Sequence, residues 1–360
     1  MGGATISSIK AREILDSKAR PMVEVDVWTT DGSMGRGASP CGTSVGRYEA
    51  VVLRDGGTRY GGLGVRKAVQ QVNETIGPAL LGRSVTDQRG IDRLMIELDG
   101  TAFKSRLGAN AIYSVSVAVA RAAAQSVRQP LYRYLAQKET YLLPVPMFNM
   151  INGKSASETL TEFQEFLLIP AEAQSYSEAL RMGVEVFSRL EDVIRRRYGT
   201  KSLQIGSSAG YAAPTNEPAE IMETLLEASE EAGYGGRFRL GLDCAASHFY
   251  VEEEACYRFG GKRMSREDLI RILEQLTRSY PLFLVEDPLH EDDFEGFAQL
   301  TRRLNRLVVG DDLFVMNLER LKKGVAMGAA NGLIVKPNMV GTLTEAMETA
   351  LYAKEHGYCL

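Results

Sequence analysis

From residue 143 onward, short apolar runs alternate with amphipathic segments, and several of the runs stop on one ionisable residue. The runs are LPVPMFN, EFLLIP, RFRLGLD, PLFLVED, RLVVGDD and GLIVKP. Between most of them lie segments of helical period such as SREDLIRILEQLTRSY (265–280), NLERLKKGVAMGAA (317–330) and TLTEAMETALYAKEHG (342–357). Strand–helix alternation predicts parallel strands, and several repeats in a row predict a barrel or a doubly wound sheet. Asp243, Glu286, Asp311 and Lys336 each close an apolar run, the last three at 25-residue intervals, which suits one βα unit of a barrel. Barrel active sites lie at the C-terminal ends of the strands, so these four side chains are expected at one mouth.

The first part of the chain differs. Residues 4–38 alternate as strands around an Asp31-Gly32 turn, whereas 64–82 and 108–128 read as helices, an α+β pattern. With 360 residues, two domains are expected. The closing YCL reads as the start of another strand. Segments 152–162 and 206–217 are small and polar and read as loops over a site. A net charge of −4 gives no electrostatic case for a nucleic-acid partner. No apolar run approaches the ~20 residues of a membrane span, and the N-terminus lacks the apolar core of a secretory signal. Cys41, Cys244, Cys256 and Cys359 show no CxxC pairing and read as free thiols in a reducing compartment, hence a cytoplasmic protein.

Three carboxylates cannot share a low-dielectric mouth without compensation, and a divalent cation supplies it. Oxygen ligands without histidine or thiolate favour Mg²⁺ over zinc. Desolvation and the cation would both disfavour the Lys336 ammonium, bringing its pKa toward that of a useful base. Such a lysine can remove a proton next to a carboxylate while the metal holds the developing enolate charge. The bland alternatives are a structural Glu286–Lys336 ion pair and a helix N-cap at Asp312. Glu291, Asp292, Asp293 and Glu295 read as a solvated first helical turn, and His290 as a surface residue. In SPCGTSVGRYEA (39–50), Gly42 and Gly46 allow a mobile loop, and Ser44 offers an oxygen to a metal or phosphate; a plain flexible link explains the same residues.

In order along the chain, AREILDS, EAVVLRDG, KSRLGANA, PLYRYL, PVPMFNMING, QEF, GLDCAAS, VEDPLHEDD, VGDDLFV and VKPNMVGTLTE resemble the enolase (phosphopyruvate hydratase) family over nearly the whole length. The resemblance implies an N-terminal α+β capping domain (1–135) and an enolase-type (β/α)8-like barrel (136–360). The barrel would have a ββαα start and lack its C-terminal part in this chain. It makes Asp243, Glu286 and Asp311 ligands of the tighter Mg²⁺, puts Ser44 near a second Mg²⁺ and makes Lys336 the base. Gln164 and Glu165 match a Gln-Glu pair lining the site, with Glu165 assisting acid–base chemistry. The implied reaction removes water from 2-phosphoglycerate to give phosphoenolpyruvate in glycolysis. The implied assembly is a homo-oligomer, dimer or octamer.

The departures concern the leaving group and the substrate. The family's GDEGGFAP is GSSAGYAAP here, so Ser207 and Ser208 replace the acidic pair, and Ser208 stands where a glutamate helps hydroxide leave. The family's GGSHAGN is GKSASET, which puts Ala156 in place of a substrate-contacting histidine and adds Lys154 as a possible anion ligand. Three readings follow. One is an enolase-like lyase on 2-phosphoglycerate or a close analogue. Another is a divergent enzyme acting on a phosphonylated acid, as carboxyphosphonoenolpyruvate synthases do. The last is a non-catalytic homologue with a binding role.

Overall fold

The computed structural model of the chain describes residues 3–40, 42, 46–136, 138–153, 161–200, 203–206 and 208–360. They fall into two compact units. The first comprises Met1–Tyr141, Val315–Leu321 and Val335–Glu355; the second comprises Leu142–Phe314, Lys322–Ile334 and His356–Leu360. Among the described residues no helix is long and apolar enough to cross a membrane.

In the first unit β1 (Ile6–Leu15), β2 (Pro21–Thr29) and β3 (Met34–Ala38) form an antiparallel sheet in that order. Alternation puts Val23, Val25 and Val27 on the buried face. The helix expected over 64–82 forms as α1 (Arg66–Gln71) and α2 (Gly77–Leu80), joined by a π-turn over 72–76. Pro78 has no N–H to donate, which removes one rung of the helical ladder and accounts for the local widening. Next come α3 (Gln88–Asp99), capped where Asp87 Oδ1 accepts from the Gly90 N–H at 3.0 Å, α4 (Ala109–Ser126) and α5 (Leu131–Ala136). Helix α4 lies directly on the sheet because β3 presents glycine to it. A Cβ at Gly35 or Gly37 would come within 2.0 Å of Ala118 O or 2.2 Å of Ser114 O, respectively.

The second unit begins with β4 (Phe148–Asn152), β5 (Glu165–Ile169), α6 (Tyr176–Tyr198), β6 (Tyr211–Ala212), α7 (Pro218–Glu231) and β7 (Arg239–Asp243). A small antiparallel meander follows: β8 (Tyr250–Val251), β9 (Cys256–Phe259) and β10 (Lys262–Met264). Then come α8 (Arg266–Ser279), β11 (Leu282–Glu286), α9 (Phe294–Leu304), β12 (Leu307–Gly310), α10 (Leu318–Met327) and β13 (Gly332–Leu333). The last helix, α11 (Leu343–Glu355), belongs to the first unit. Serine and aspartate start α8 reciprocally, with Ser265 and Asp268 forming a capping box.

Among the described residues, seven strands form the main sheet in the order β13-β12-β11-β7-β5-β4-β6. Strands β7, β11, β12 and β13 are parallel, but β5 runs antiparallel to both β4 and β7. Alternation alone predicted parallel strands throughout. It fails at β5, which pairs antiparallel with β4; in sequence the connecting segment 152–162 is small and polar rather than amphipathic, in keeping with the ββαα start that the enolase resemblance implied. The run LPVPMFN yields a strand only from Phe148; Pro144 and Pro146 cannot donate to a ladder, and Leu143 is 70% exposed. Leu167, Ile169, Leu284 and Val309 form a buried cluster against the sheet, with Leu307 and Ile334 packed beside them. At the far edge Cys359 bridges Gly332 in parallel, with Leu333 N–H donating to Cys359 O at 2.9 Å.

Candidate active site

The antiparallel course of β5 brings its first residue to the same sheet edge as the last residues of β7 and β11. Glu165 stands opposite Asp243, and Asp243 stands beside Glu286. Residues in register on adjacent strands share a face, at a strand spacing of about 4.8 Å. Three carboxylates therefore form a row. Gln164, just before β5, donates its backbone N–H to Asp243 O at 2.9 Å and its Nε2 to Asp243 Oδ2 at 3.1 Å. Asp243 Oδ1 accepts from the Ala245 N–H at 2.9 Å. Asp243 and Glu286 are only 6% and 8% exposed. Between the strands Cys244 is fully buried; burial first, then Asp243, Asp287 and Glu286, push its thiol pKa up, so it stays neutral.

Asp311 follows the end of β12, and its position depends on a residue that the sequence reading passed over. Asp287, after Glu286, sits at φ +37° and is 4% exposed. Its Oδ1 accepts from the Asp311 N–H at 3.0 Å and its Oδ2 from the Asp312 N–H at 2.7 Å. Its own N–H donates to Val309 O at 3.0 Å. One side chain thus ties the end of β11 to the end of β12. Burial first, then Asp312, Asp311 and Asp243, raise its pKa well above the usual carboxylate range. Carboxylate oxygens of Asp287, Asp311 and Asp312 lie within 4.8 Å of one another. So much buried negative charge fits a bound cation, and an all-oxygen donor set fits a hard divalent one. The available signal was an acid directly after a strand-ending acid and before Pro288. Asp312, expected as a helix N-cap, is buried and no helix starts there, since α10 begins at Leu318.

Lys336 departs from expectation. Four apolar residues in a row, Gly332–Val335, predict a buried strand, but β13 ends at Leu333, Val335 is 44% exposed and Lys336 is exposed too. Lys336 instead precedes a 3-10 turn, Pro337–Met339, and its carbonyl accepts from the Met339 N–H at 3.0 Å. The proline and turn divert the chain out of the sheet before the lysine is covered.

Ser208 is half-buried, and its carbonyl accepts from Asn149 Nδ2 at 3.2 Å. Asn152 joins the same network through Asn149 Oδ1 (2.8 Å) and the Gly210 N–H (2.9 Å). Ser44, Lys154, Ala156 and Ser207 lie outside the described residues. His290, expected at the surface, is largely covered: its ring lies 4.5 Å from that of Tyr250 and its Nε2 is 3.5 Å from Glu252 Oε1. Of the expected solvated acids, Glu291 is buried, and Asp293 caps α9 by accepting from the Gly296 N–H at 3.0 Å.

Comparison with known proteins places this geometry in a family. Residues 6–135 match the family model "Enolase, N-terminal domain", and residues 140–360 match "Enolase, C-terminal TIM barrel domain". An enolase of Methanopyrus kandleri is 51% identical over 357 residues, covering 98% of this chain and 84% of that protein. An enolase of Pyrococcus furiosus is 49% identical over 357 residues, covering 98% of this chain and 83% of that protein. An enolase of Methanocaldococcus jannaschii is 47% identical over 353 residues, again covering 98% of this chain and 83% of the relative. With both halves matched and sequence identity near one residue in two, the chain belongs to the enolase family.

Proposed function

We propose that this enolase-type lyase takes 2-phosphoglycerate, or a close analogue, and removes water to form phosphoenolpyruvate, using Mg²⁺ as its divalent cation. The row Glu165–Asp243–Glu286, with Asp311 anchored by Asp287, is the observation that carries this reading. In it Asp243, Glu286 and Asp311 hold the metal. Gln164, through Oδ2, and the Ala245 N–H, through Oδ1, fix the orientation of the Asp243 carboxylate. Bound there, the cation would offset the second negative charge that develops on the substrate carboxylate as the α-proton leaves. Lys336 takes that proton, and its exposure leaves room for the substrate to cover it. Glu165, beside Asp243, assists the proton transfer. Ser44 contributes to a second Mg²⁺, and Lys154 and Ala156 line the substrate's anionic end.

A serine hydroxyl is a weak acid near neutral pH, so Ser208 lends hydroxide departure little proton transfer, and loss of such help costs about 10²–10⁴-fold. That substitution favours a second reading, in which the same proton abstraction serves a phosphonylated acid with a different leaving group. Turnover separates the two. With 2-phosphoglycerate and Mg²⁺, growth of enol absorbance supports the first reading. Exchange of the α-hydrogen with deuterated solvent, without enol product, supports the second. Absence of both, with no Mg²⁺ binding, would leave a binding protein. Residues 1–135 and 136–360 are the proposed capping and barrel domains, and the cytoplasm and a homo-oligomer, dimer or octamer, are the proposed setting.

A further inference from the structure

A second lysine, far from Lys336 in sequence, is buried. Lys104 lies in the turn between α3 and α4 at φ +54° and is only 4% exposed. Its Nζ donates to Glu345 Oε1 at 2.9 Å. The other Glu345 oxygen accepts from Thr342 Oγ1 at 2.6 Å, and the Glu345 N–H donates back to Thr342 Oγ1 at 3.2 Å, closing the start of α11. The lysine stem runs against Gly341, at φ +97°, where a Cβ would stand 2.6 Å from Lys104 Cδ. The Gly341 N–H donates to Pro337 O at 3.2 Å, and the Met339 N–H to Lys336 O at 3.0 Å. From the other side the Ala50 N–H holds Met339 O at 2.8 Å. An unbroken set of contacts thus leads from the Lys104–Glu345 pair to the backbone of Lys336.

We infer that Lys104 is a positioning residue for Lys336: its ion pair with Glu345 sets the Pro337–Met339 turn and so aims the Lys336 amine. The inference rests on the reading of Lys336 as the base. Stability alone explains the pair poorly, since an ion pair with one partner buried and the other partly covered is often replaceable by apolar residues without loss. Placement explains it better, because a shift of about 1 Å at a reacting group can cost roughly 10²-fold in rate. The metal-holding acids lie on other elements, so metal binding should not depend on the pair.

The test compares wild type, Lys336→Ala, Lys104→Met and the apolar double variant Lys104→Met/Glu345→Leu. Each is assayed for α-hydrogen exchange of 2-phosphoglycerate in deuterated buffer with Mg²⁺, for Mn²⁺ affinity by calorimetry, and for thermal unfolding. The double variant is expected to unfold cooperatively and bind Mn²⁺ as wild type does, but to exchange at least about 10-fold more slowly, with the loss in kcat rather than KM. Should an apolar variant fail to fold, Glu345→Gln keeps the shape and removes the charge, and the same slowing is expected. Wild-type exchange in a folded variant overturns the inference, as does a parallel loss of Mn²⁺ affinity, which would mark a merely structural role. Undiminished exchange in Lys336→Ala, or none in wild type, overturns the base reading and this inference with it. Exchange lost in Lys336→Ala but intact in the pair variants overturns the inference alone.

Discussion

At the scale of single residues, the proposed site rests on side chains that hold backbone as much as on the acids proposed to hold the cation. Asp287 spends both oxygens on the N–H groups of Asp311 and Asp312. In Asp287→Asn the amide nitrogen cannot accept, so one of these N–H groups loses its partner and Asp311 is less firmly placed. The expected outcome is a 10–100-fold loss in Mn²⁺ affinity, measured by calorimetry, in a protein that still folds. Sequence alone identified Asp243 and Glu286 as strand ends because each stops an apolar run, a pattern written into neighbouring residues. Asp287 was not legible by the same logic. Its role depends on backbone groups 24 and 25 residues away, which only the pairing of β11 with β12 brings near. The exposure of Lys336 was not legible either, since four apolar residues before it suggest burial and the strand stops after two.

At the scale of elements, the strands of the first unit were readable from alternation, and their stability has an electrostatic component that is open to test. Asp26 on β2 is bonded by Arg36 on β3 (Nε to Oδ1, 2.6 Å) and Arg12 on β1 (Nη1 to Oδ2, 2.8 Å), clasping all three strands. Arg36 foremost, then Arg12, hold its pKa down at about 2 despite the opposing effect of burial. A lowered folded-state pKa means that the stabilisation is complete above the unfolded value near 3.9 and is lost as pH falls toward about 2. Asp26→Asn is therefore expected to destabilise the protein at pH 7 by about 1 kcal/mol, a figure kept small because both arginines are partly exposed. The difference from wild type should shrink below pH 4, as read from urea unfolding across the acid range. A difference that grows on acidification would contradict the assignment. The direction of β5 was hidden for another reason: a run of five apolar-rich residues carries no mark of which way it points, and only the small, polar sequence between β4 and β5 hints at it.

At the scale of the whole molecule, the ordered motifs, both family matches and the relatives agree on the enolase family. A chain that binds a cation through buried acids only when folded gains stability from that cation by mass action. Mg²⁺ at 100 times its dissociation constant should add about 2.7 kcal/mol to unfolding, and a chelator should remove it. In Asp243→Asn the Mg²⁺-dependent rise in melting temperature should be strongly reduced. An equal rise in variant and wild type would place the ion elsewhere. The proposed proton abstraction needs both the cation and Lys336, and solvent exchange at the substrate's α-carbon reads both together. With 2-phosphoglycerate in deuterated buffer, wild type plus Mg²⁺ is predicted to exchange the α-hydrogen, whereas Lys336→Ala with Mg²⁺ and wild type with chelator are not. Exchange that persists in Lys336→Ala, or that proceeds without a divalent ion, would contradict the account.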